Sequence, residues 1–246
     1  MCLDWTAAEA LWGQAQHRDR VVAVAYVYRA NPVLSALRSE LHSGEHGRPL
    51  ELVAVAGQHF PTYRPAYRET YYRQRETGGG AIQDALTHVY NAAEWLVGDF
   101  QRLVVDADRL QLDGVEVEDT VHVLARHQGG LMASYSLNQH QAANEMSITV
   151  ITDTAMLRWE SHQHRFLVCD RAQSTWQQRD FSPLERDELF IRQAASFLDA
   201  VEYGHPPLCN LCEGMNTLRV NLASLKSLQS GGWENVREKN ATVDAR

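Results

Sequence analysis

The sequence predicts an α+β domain built on an open, mostly antiparallel sheet with helices on one face, preceded by a leftover helix and strand of another domain. The chain has 246 residues, 44% of them hydrophobic, which is enough to bury a substantial core. Six short β-like segments follow one another without a helix between them, a pattern typical of antiparallel sheets. Two long helices are then expected over 184–203 and 211–228. The six segments are 103–107, 120–126, 131–138, 147–152, 156–160 and 166–169.

The first elements expected along the chain are a short helix over 6–16 and a strand over 21–27. Thr6 stands where an N-cap is needed, and Glu9 follows three residues later, as in a capping box. Residues 21–27 are apolar without alternation, as in a parallel strand that is covered on both faces. Because the chain supplies no parallel neighbours for this strand, residues 1–28 are interpreted as the remnant of another domain.

The main domain is expected over residues 29–235, followed by a flexible tail over 236–246. The open face of its sheet is expected to carry alternating apolar residues of 131–137 and 147–151, and to pair subunits into a homodimer or homotetramer. The remaining predicted elements are a helix over 33–42, a strand over 50–57, an aromatic and charged loop over 59–77, and a helix over 84–97.

Composition and charge argue against several classes of partner. The formal net charge is -8 and no stripe of Lys and Arg is present, so no nucleic-acid partner is expected. No apolar run approaches the ~20 residues of a membrane-spanning helix, and a cytoplasmic protein is predicted. Cys209 and Cys212 form a C-x-x-C, which fits a zinc or redox site or simply a Pro-rich turn. Without a second pair at ligand spacing, no metal site is predicted.

The segment with the clearest chemical pattern is the glycine triplet at 78–80 and the helix behind it. Glycines adopt positive φ and allow close approach of a ligand, and a helix N-terminus points at the same place. Asp84 and His88 are four residues apart, which on an α-helix places them on one face. A neighbouring carboxylate orients an imidazole and raises its pKa, as a general acid or base requires. The simpler alternative is an ordinary turn followed by a helix-capping Asp.

Several short motifs occur in order along the chain. Their order and spacing resemble the family of glucose-fructose oxidoreductase, inositol dehydrogenase and rhizopine catabolism proteins, over nearly the whole sequence. The motifs are Val24-x-Tyr26-x-x-Arg29-x-x-Pro32, Gly44-x-x-Gly47, Pro61-x-Tyr63-Arg64-Pro65, Gly78-Gly79-Gly80-x-x-x-Asp84-x-x-x-His88, Trp95-Leu96-x-Gly98, Val117-Glu118-Asp119, Gly129-Gly130 and Glu213-Gly214.

The resemblance implies a two-domain NAD(P)-dependent oxidoreductase whose N-terminal Rossmann domain binds NAD or NADP. It implies that residues 1–28 include the end of that domain, with His88 as the proton-transfer residue and Asp84 as its partner. The family's Glu-Lys-Pro motif and the G-x-G-x-x-G fingerprint do not occur in this sequence. The chain alone is therefore expected to bind a dinucleotide poorly and to be inactive without that domain.

The expected substrate is a sugar, cyclitol or related polyol that is oxidised at a hydroxyl. The alternative interpretation is a non-catalytic binding or assembly protein that has lost its cofactor domain. Tyr and Arg side chains of the 59–77 loop fit hydroxyl recognition, but they fit a subunit interface equally well. The candidate substrate-binding residues are Tyr67, Arg68, Tyr71, Asn138 and His140.

Overall fold

The computed structural model of the chain describes residues 3–18 and 20–237, and within them one nine-stranded sheet forms the centre of the fold. The strands are β1 Pro49–His59, β2 Phe100–Asp108, β3 Thr120–His127, β4 Met132–Asn138, β5 His140–Thr152, β6 Ala155–Glu160, β7 Arg165–Asp170, β8 Gln177–Arg179 and β9 Glu234–Asn235. Their order is β8-β7-β6-β5-β1-β4-β3-β2-β9. β1 and β4 pair in parallel, and the other neighbours are antiparallel. The prediction of an open, mostly antiparallel sheet is confirmed.

Helices cover one face of this sheet, as predicted. The helices of the described residues are α1 Trp5–His17, α2 Pro32–Ser43, α3 Phe60–Tyr63, α4 Thr87–Val97, α5 Glu188–Tyr203 and α6 Leu211–Ser230. Residues of α2, α4 and α6 form one core with the inward residues of the strands. α6 begins with a capping box in which Asn210 and Glu213 satisfy each other's backbone amides, which fixes the start of this long helix.

The prediction that the apolar residues of 131–137 stand on the open face of the sheet is wrong. Ala133, Tyr135 and Leu137 are almost fully buried against the helices. The opposite face carries residues such as Leu124 and Met132, which are 57% and 53% exposed. Because side chains alternate along a strand, the larger apolar set of β4 belongs to the core and its serines face outward.

The predicted strand at residues 21–27 is also wrong. Residues 21–25 run extended with one isolated bridge, from Ala23 to Asn210, and a 3-10 turn follows at Val27–Ala30. A strand needs neighbours to satisfy its backbone, and none of the described residues pairs with this segment along its length. Its aromatic end is nevertheless integrated, since the Tyr28 ring packs edge-on to Trp159 at 5.4 Å.

The first helix and residue 236 both make contacts with the rest of the domain. Asp4, and not Thr6, caps α1 by accepting a 2.8 Å bond from the Ala7 amide. Apolar residues of α1 pack on α6 around Met215. Val236 is buried and its amide donates to the Gln101 carbonyl. The predicted flexible tail therefore does not begin at residue 236, and residues 238–246 lie outside the described part of the chain.

The buried His127 makes the stability of the fold depend on pH. Its Nδ1 donates to the Gly98 carbonyl oxygen at 2.6 Å, and its Nε2 accepts from the Tyr135 hydroxyl at 2.7 Å. A neutral imidazole satisfies both bonds, whereas a protonated ring has no acceptor for Tyr135. Burial lowers the pKa of His127 from its ordinary value of 6.5 to about 4.

We expect the free energy of unfolding to fall as pH decreases from about 6.5 to about 4. In that interval the unfolded chain binds a proton at His127 and the folded protein does not, so stability rises with pH. The slope from this group approaches about 1.4 kcal/mol per pH unit. Urea titrations across the interval measure it. His127→Gln should reduce the slope, and His122→Gln, at an exposed position of β3, should not. Equal slopes in both variants would contradict the assignment.

Candidate functional site

The glycine triplet is shaped by close contact with the protein itself. Gly78 and Gly80 have φ of 90° and 97°, which favours glycine at both positions. A Cβ on Gly79 would lie 2.1 Å from the Tyr72 carbonyl oxygen, and one on Gly80 would lie 2.5 Å from Glu118 Oε1. The space beside Gly79 and Gly80 is therefore occupied by atoms of the chain itself and is not open to a ligand.

Glu118 organises the turn that follows the glycines. Its carboxylate accepts from the Ile82 amide at 3.1 Å and pairs with the Arg75 guanidinium at 2.8 Å. Its backbone carbonyl accepts from the Ala81 amide at 2.9 Å. The side chain of Glu118 is buried, so these bonds hold a charge that would otherwise be costly to desolvate.

The helix that carries Asp84 and His88 opens as a π-helix. Residues Ala81–Leu86 form this wide turn, and α4 starts at Thr87. The expected α-helical spacing of Asp84 and His88 is therefore wrong, because the two residues stand on either side of a change in helix type. Short π segments are frequent at functional sites, but the chemistry has to be argued from the side chains.

Asp84 and His88 have different partners. The Asp84 carboxylate accepts a 2.5 Å hydrogen bond from the Tyr71 hydroxyl, and no hydrogen bond joins it to His88. The His88 ring lies between two tyrosines, with centroids 5.5 Å from Tyr26 and 5.9 Å from Tyr28. Its Nδ1 is buried and has no hydrogen-bond partner among the described residues, so the site holds an imidazole with an unused polar atom.

The environment of His88 lowers its pKa, which corrects the expected increase. Burial among the aromatic rings is the larger cause and disfavours the charged ring, while the negative charge of Asp84 acts in the opposite direction. The imidazole is neutral near pH 7 and is able to accept a proton. Burial and the bond to Asp84 raise the pKa of Tyr71 to about 12, so its phenol stays protonated as a donor.

Four of the five candidate substrate-binding residues form their hydrogen bonds outside this pair. The Tyr67 hydroxyl and Arg68 Nε both donate to the Asp113 carbonyl, at 3.1 Å and 3.0 Å, which ties their loop to the loop before β3. The Asn138 amide donates to Gln141, and His140 Nε2 lies 3.0 Å from Thr120 Oγ1. No hydrogen bond or ring contact among the described residues joins these four candidates to Asp84 or His88. Tyr71 alone of the five reaches the pair.

The C-x-x-C pair does not form a metal cluster in the described part of the chain, where no group of three or more His, Cys, Asp and Glu could hold an ion. Cys209 is buried, which raises its pKa to about 11, and Cys212 is exposed. Cys2 lies outside the described residues. Among those that are described, no helix is both long and apolar enough to cross a bilayer.

Comparison with known proteins decides the family. Residues 34–158 match the family model described as the GFO/IDH/MocA C-terminal domain, a match that covers half of the chain and includes Asp84 and His88. The chain belongs to the GFO/IDH/MocA family. No curated protein matches the sequence.

Solved structures of oxidoreductases share the fold of this GFO/IDH/MocA chain. Levoglucosan dehydrogenase in complex with NADH has a TM-score of 0.85 at 18% identity, over 94% of this chain and 70% of that chain. An NAD binding oxidoreductase from Klebsiella pneumoniae has a TM-score of 0.85 at 16% identity, over 97% and 72%. An inositol dehydrogenase homolog with NAD+ from Azotobacter vinelandii has a TM-score of 0.82 at 19% identity, over 93% and 68%. At these identities the likeness establishes the fold.

The glycine triplet of this family member does not fit a dinucleotide. A pyrophosphate needs a glycine-rich turn between a strand and a helix of a βαβ unit. Gly78–Gly80 instead abut the carboxylate of Glu118 and the carbonyl of Tyr72, whose negative charge and dipole oppose a phosphate. The triplet thus provides no cradle for the pyrophosphate of NAD or NADP.

Three parts of the site were not identified as functional from the sequence, namely Tyr26, Tyr28 and Glu118. Tyr26 and Glu118 belong to motifs that carry the family resemblance, and these motifs could have indicated them. No motif includes Tyr28, whose contact with His88 joins residues distant in sequence. Glu118 also precedes Asp119, whose carboxylate accepts three consecutive loop amides.

Proposed function

We propose that this chain is the substrate-binding and proton-transfer part of an NAD(P)-dependent oxidoreductase that acts on a hydroxyl of a sugar, cyclitol or related polyol. The single observation that carries the proposal is the half-buried, neutral His88, whose buried Nδ1 has no partner among the described residues, one π-to-α junction away from Asp84. Membership of the GFO/IDH/MocA family supports the class of reaction. Solved relatives in fold include levoglucosan dehydrogenase bound to levoglucosan.

In this proposal His88 accepts the proton of the substrate hydroxyl. Its lowered pKa keeps the ring neutral, and the surrounding Tyr26 and Tyr28 rings exclude water from one side. When His88 takes the proton, the nearby Asp84 carboxylate stabilises the resulting imidazolium. Tyr71 holds that carboxylate in place through its 2.5 Å bond. The hydride acceptor is supplied by a nucleotide-binding domain that these residues do not form.

The proposal is tested by joining residues 1–246 behind the nucleotide-binding domain of levoglucosan dehydrogenase and assaying NADH formation. Levoglucosan, inositol and glucose are suitable substrates, because each offers ring hydroxyls. Turnover that disappears in His88→Ala supports the proposal. A folded fusion that binds NADH and oxidises none of these compounds favours the non-catalytic alternative, in which the sheet serves binding or assembly.

We expect the unfused chain to show no saturable NADH binding in calorimetric titration at micromolar concentrations. The reason is the absence of a G-x-G-x-x-G turn from the sequence and the occupation of the glycine triplet by Glu118 and Tyr72. The fusion described above is the positive control, since it carries a dinucleotide site. Micromolar affinity of the unfused chain would contradict this prediction.

We also propose that the open face of the sheet pairs two copies of the chain. Leu124 and Met132 stand exposed there beside half-buried Val53, Val55 and Val104, and covering such a patch is favourable. Light scattering at tens of micromolar should report a dimer or tetramer. Leu124→Glu should shift the equilibrium toward the monomer. Ile191→Glu, at a similarly exposed position on α5, should not. A monomeric parent chain would contradict the proposal.

A further inference from the structure

An aromatic cleft lies beside the candidate site and is not lined by Asp84 or His88. It has a volume of about 220 Å³, which suits a single ring more than an extended ligand. Two tyrosines form its exposed rim, Tyr63 at 50% and Tyr71 at 58% exposure. Arg64, which follows Tyr63 in the sequence, is exposed and also lines the cleft. The lining residues are Phe60, Tyr63, Arg64, Pro65, Ala66, Tyr67, Thr70, Tyr71 and Tyr72.

The floor of the cleft is closely packed. The Phe60 ring lies 4.4 Å from Tyr72 and 6.0 Å from Tyr67, centroid to centroid, and all three side chains are buried. The Tyr67 hydroxyl is bonded to the Asp113 carbonyl, and the Tyr72 hydroxyl is bonded to Gln139. A floor with its polar atoms already satisfied and its rings interlocked presents a fixed apolar surface, so a ligand would not have to order it.

The rim offers a different chemistry from the floor. Tyr63 and Tyr71 contribute aromatic rings, while the Tyr63 phenol and the Arg64 guanidinium provide hydrogen-bond donors, since the Tyr71 hydroxyl already donates to Asp84. No carboxylate lines the cleft, so a cation would find no counter-charge there, and the positive charge of Arg64 would oppose its binding. A ligand that matches it carries an apolar face and a periphery of hydroxyl groups. A six-membered sugar ring has both features.

Tyr71 joins the cleft to the proposed reaction site. One side of its ring lines the cleft, while its hydroxyl donates to Asp84 at 2.5 Å. A ring that fills the cleft therefore lies next to the Asp84 and His88 site without occupying it. A substrate that reaches both must have two linked units.

We propose that the aromatic cleft is a subsite for a second, non-reacting pyranose ring, and that the substrate is a glycoside or disaccharide. That the bound sugar is part of a substrate rests on the proposed function. Binding of a sugar in the cleft can be measured without turnover. Tyr63 and Tyr71 stack on the faces of the ring, and Arg64 donates to its hydroxyl oxygens.

The test measures binding of methyl β-glucoside to the unfused chain, by saturation-transfer NMR and by titration. We expect saturable binding in the millimolar range, at least tenfold weaker in Tyr63→Ala and in Arg64→Gln, both exposed positions. Tyr203→Ala is the matched control, since Tyr203 is 63% exposed on α5, and it should bind as the parent does. Tyr71→Phe keeps the ring and should change affinity less than twofold. Cyclohexanol, a ring without the other hydroxyls, should compete poorly.

Absence of saturable binding, or equal weakening in Tyr63→Ala and Tyr203→Ala, would overturn the subsite. Binding in His88→Ala should equal that of the parent, which separates the subsite from the reaction. If the glucoside binds through Tyr63 but the fusion enzyme has no turnover, the subsite stands and the proposed reaction fails. If the fusion turns over without Tyr63-dependent glucoside binding, the reaction stands and the subsite fails.

Discussion

Gly79→Ala is expected to lower the free energy of unfolding by about 3 kcal/mol, at the upper end of what overpacking usually costs. The added Cβ would lie 2.1 Å from the Tyr72 carbonyl oxygen and 2.7 Å from the Gln74 carbonyl oxygen. Both contacts are with backbone, which cannot rotate away as a side chain can. The strain would also separate the 71–77 loop from the π-helix, and Tyr71 would lose its position over Asp84. Urea unfolding followed by circular dichroism measures the change.

Gly13→Ala is the matched control for that substitution. Gly13 lies within α1 and has no atom within 4 Å of its ideal Cβ position. Removing a glycine from an exposed helix interior should raise stability by about 1 kcal/mol. Opposite signs at Gly79 and Gly13 are therefore expected. If Gly79→Ala were neutral, the packing of the glycine triplet on Tyr72 would be wrong.

The strands between residues 100 and 170 were predictable because their pattern is local. Each of β2 to β7 overlaps a segment chosen for its β-forming residues, and the ends differ by a few residues. The largest difference is β5, which starts at His140, seven residues before the predicted start at 147. Its first residues include the polar His140 and Glu145, which pair with His59 and Gly57 at the end of β1. A polar extension of this kind carries no apolar signal.

Residues 21–27 show why local pattern was insufficient elsewhere. The apolar run has the composition of a buried parallel strand, but a strand forms only where neighbours satisfy its backbone. The same limit applies to the site. Asp84 and His88 were identified from their spacing, yet the π-helix between them and the Tyr71 bond depend on contacts with Glu118 and on the fold of a distant loop. Those contacts decide the chemistry, and spacing alone predicted the wrong direction for the pKa of His88.

The sign of that pKa shift determines what His88 is suited to do. A ring with a raised pKa would be charged near neutral pH and would serve first as a proton donor. With the pKa lowered by burial, the ring is neutral near pH 7, which is the form that the proposed proton transfer from a hydroxyl requires. In the fusion enzyme kcat/KM should stay level from pH 8 down to about 6.5, the unperturbed His value, and decline only below it, where the imidazole becomes protonated.

His88→Ala in the fusion enzyme is expected to reduce kcat by ~10²-fold or more, the usual contribution of a positioned general base. The stability loss should be small, because the ring is partly exposed and makes no hydrogen bond through Nδ1. His122→Ala, at an exposed position of β3, is the matched control and should leave kcat unchanged. The opposite pattern would identify His88 as a structural histidine. In that case His88→Ala would destabilise the fold by several kcal/mol while the surviving folded enzyme kept its turnover, and the proton-transfer role would have to be abandoned.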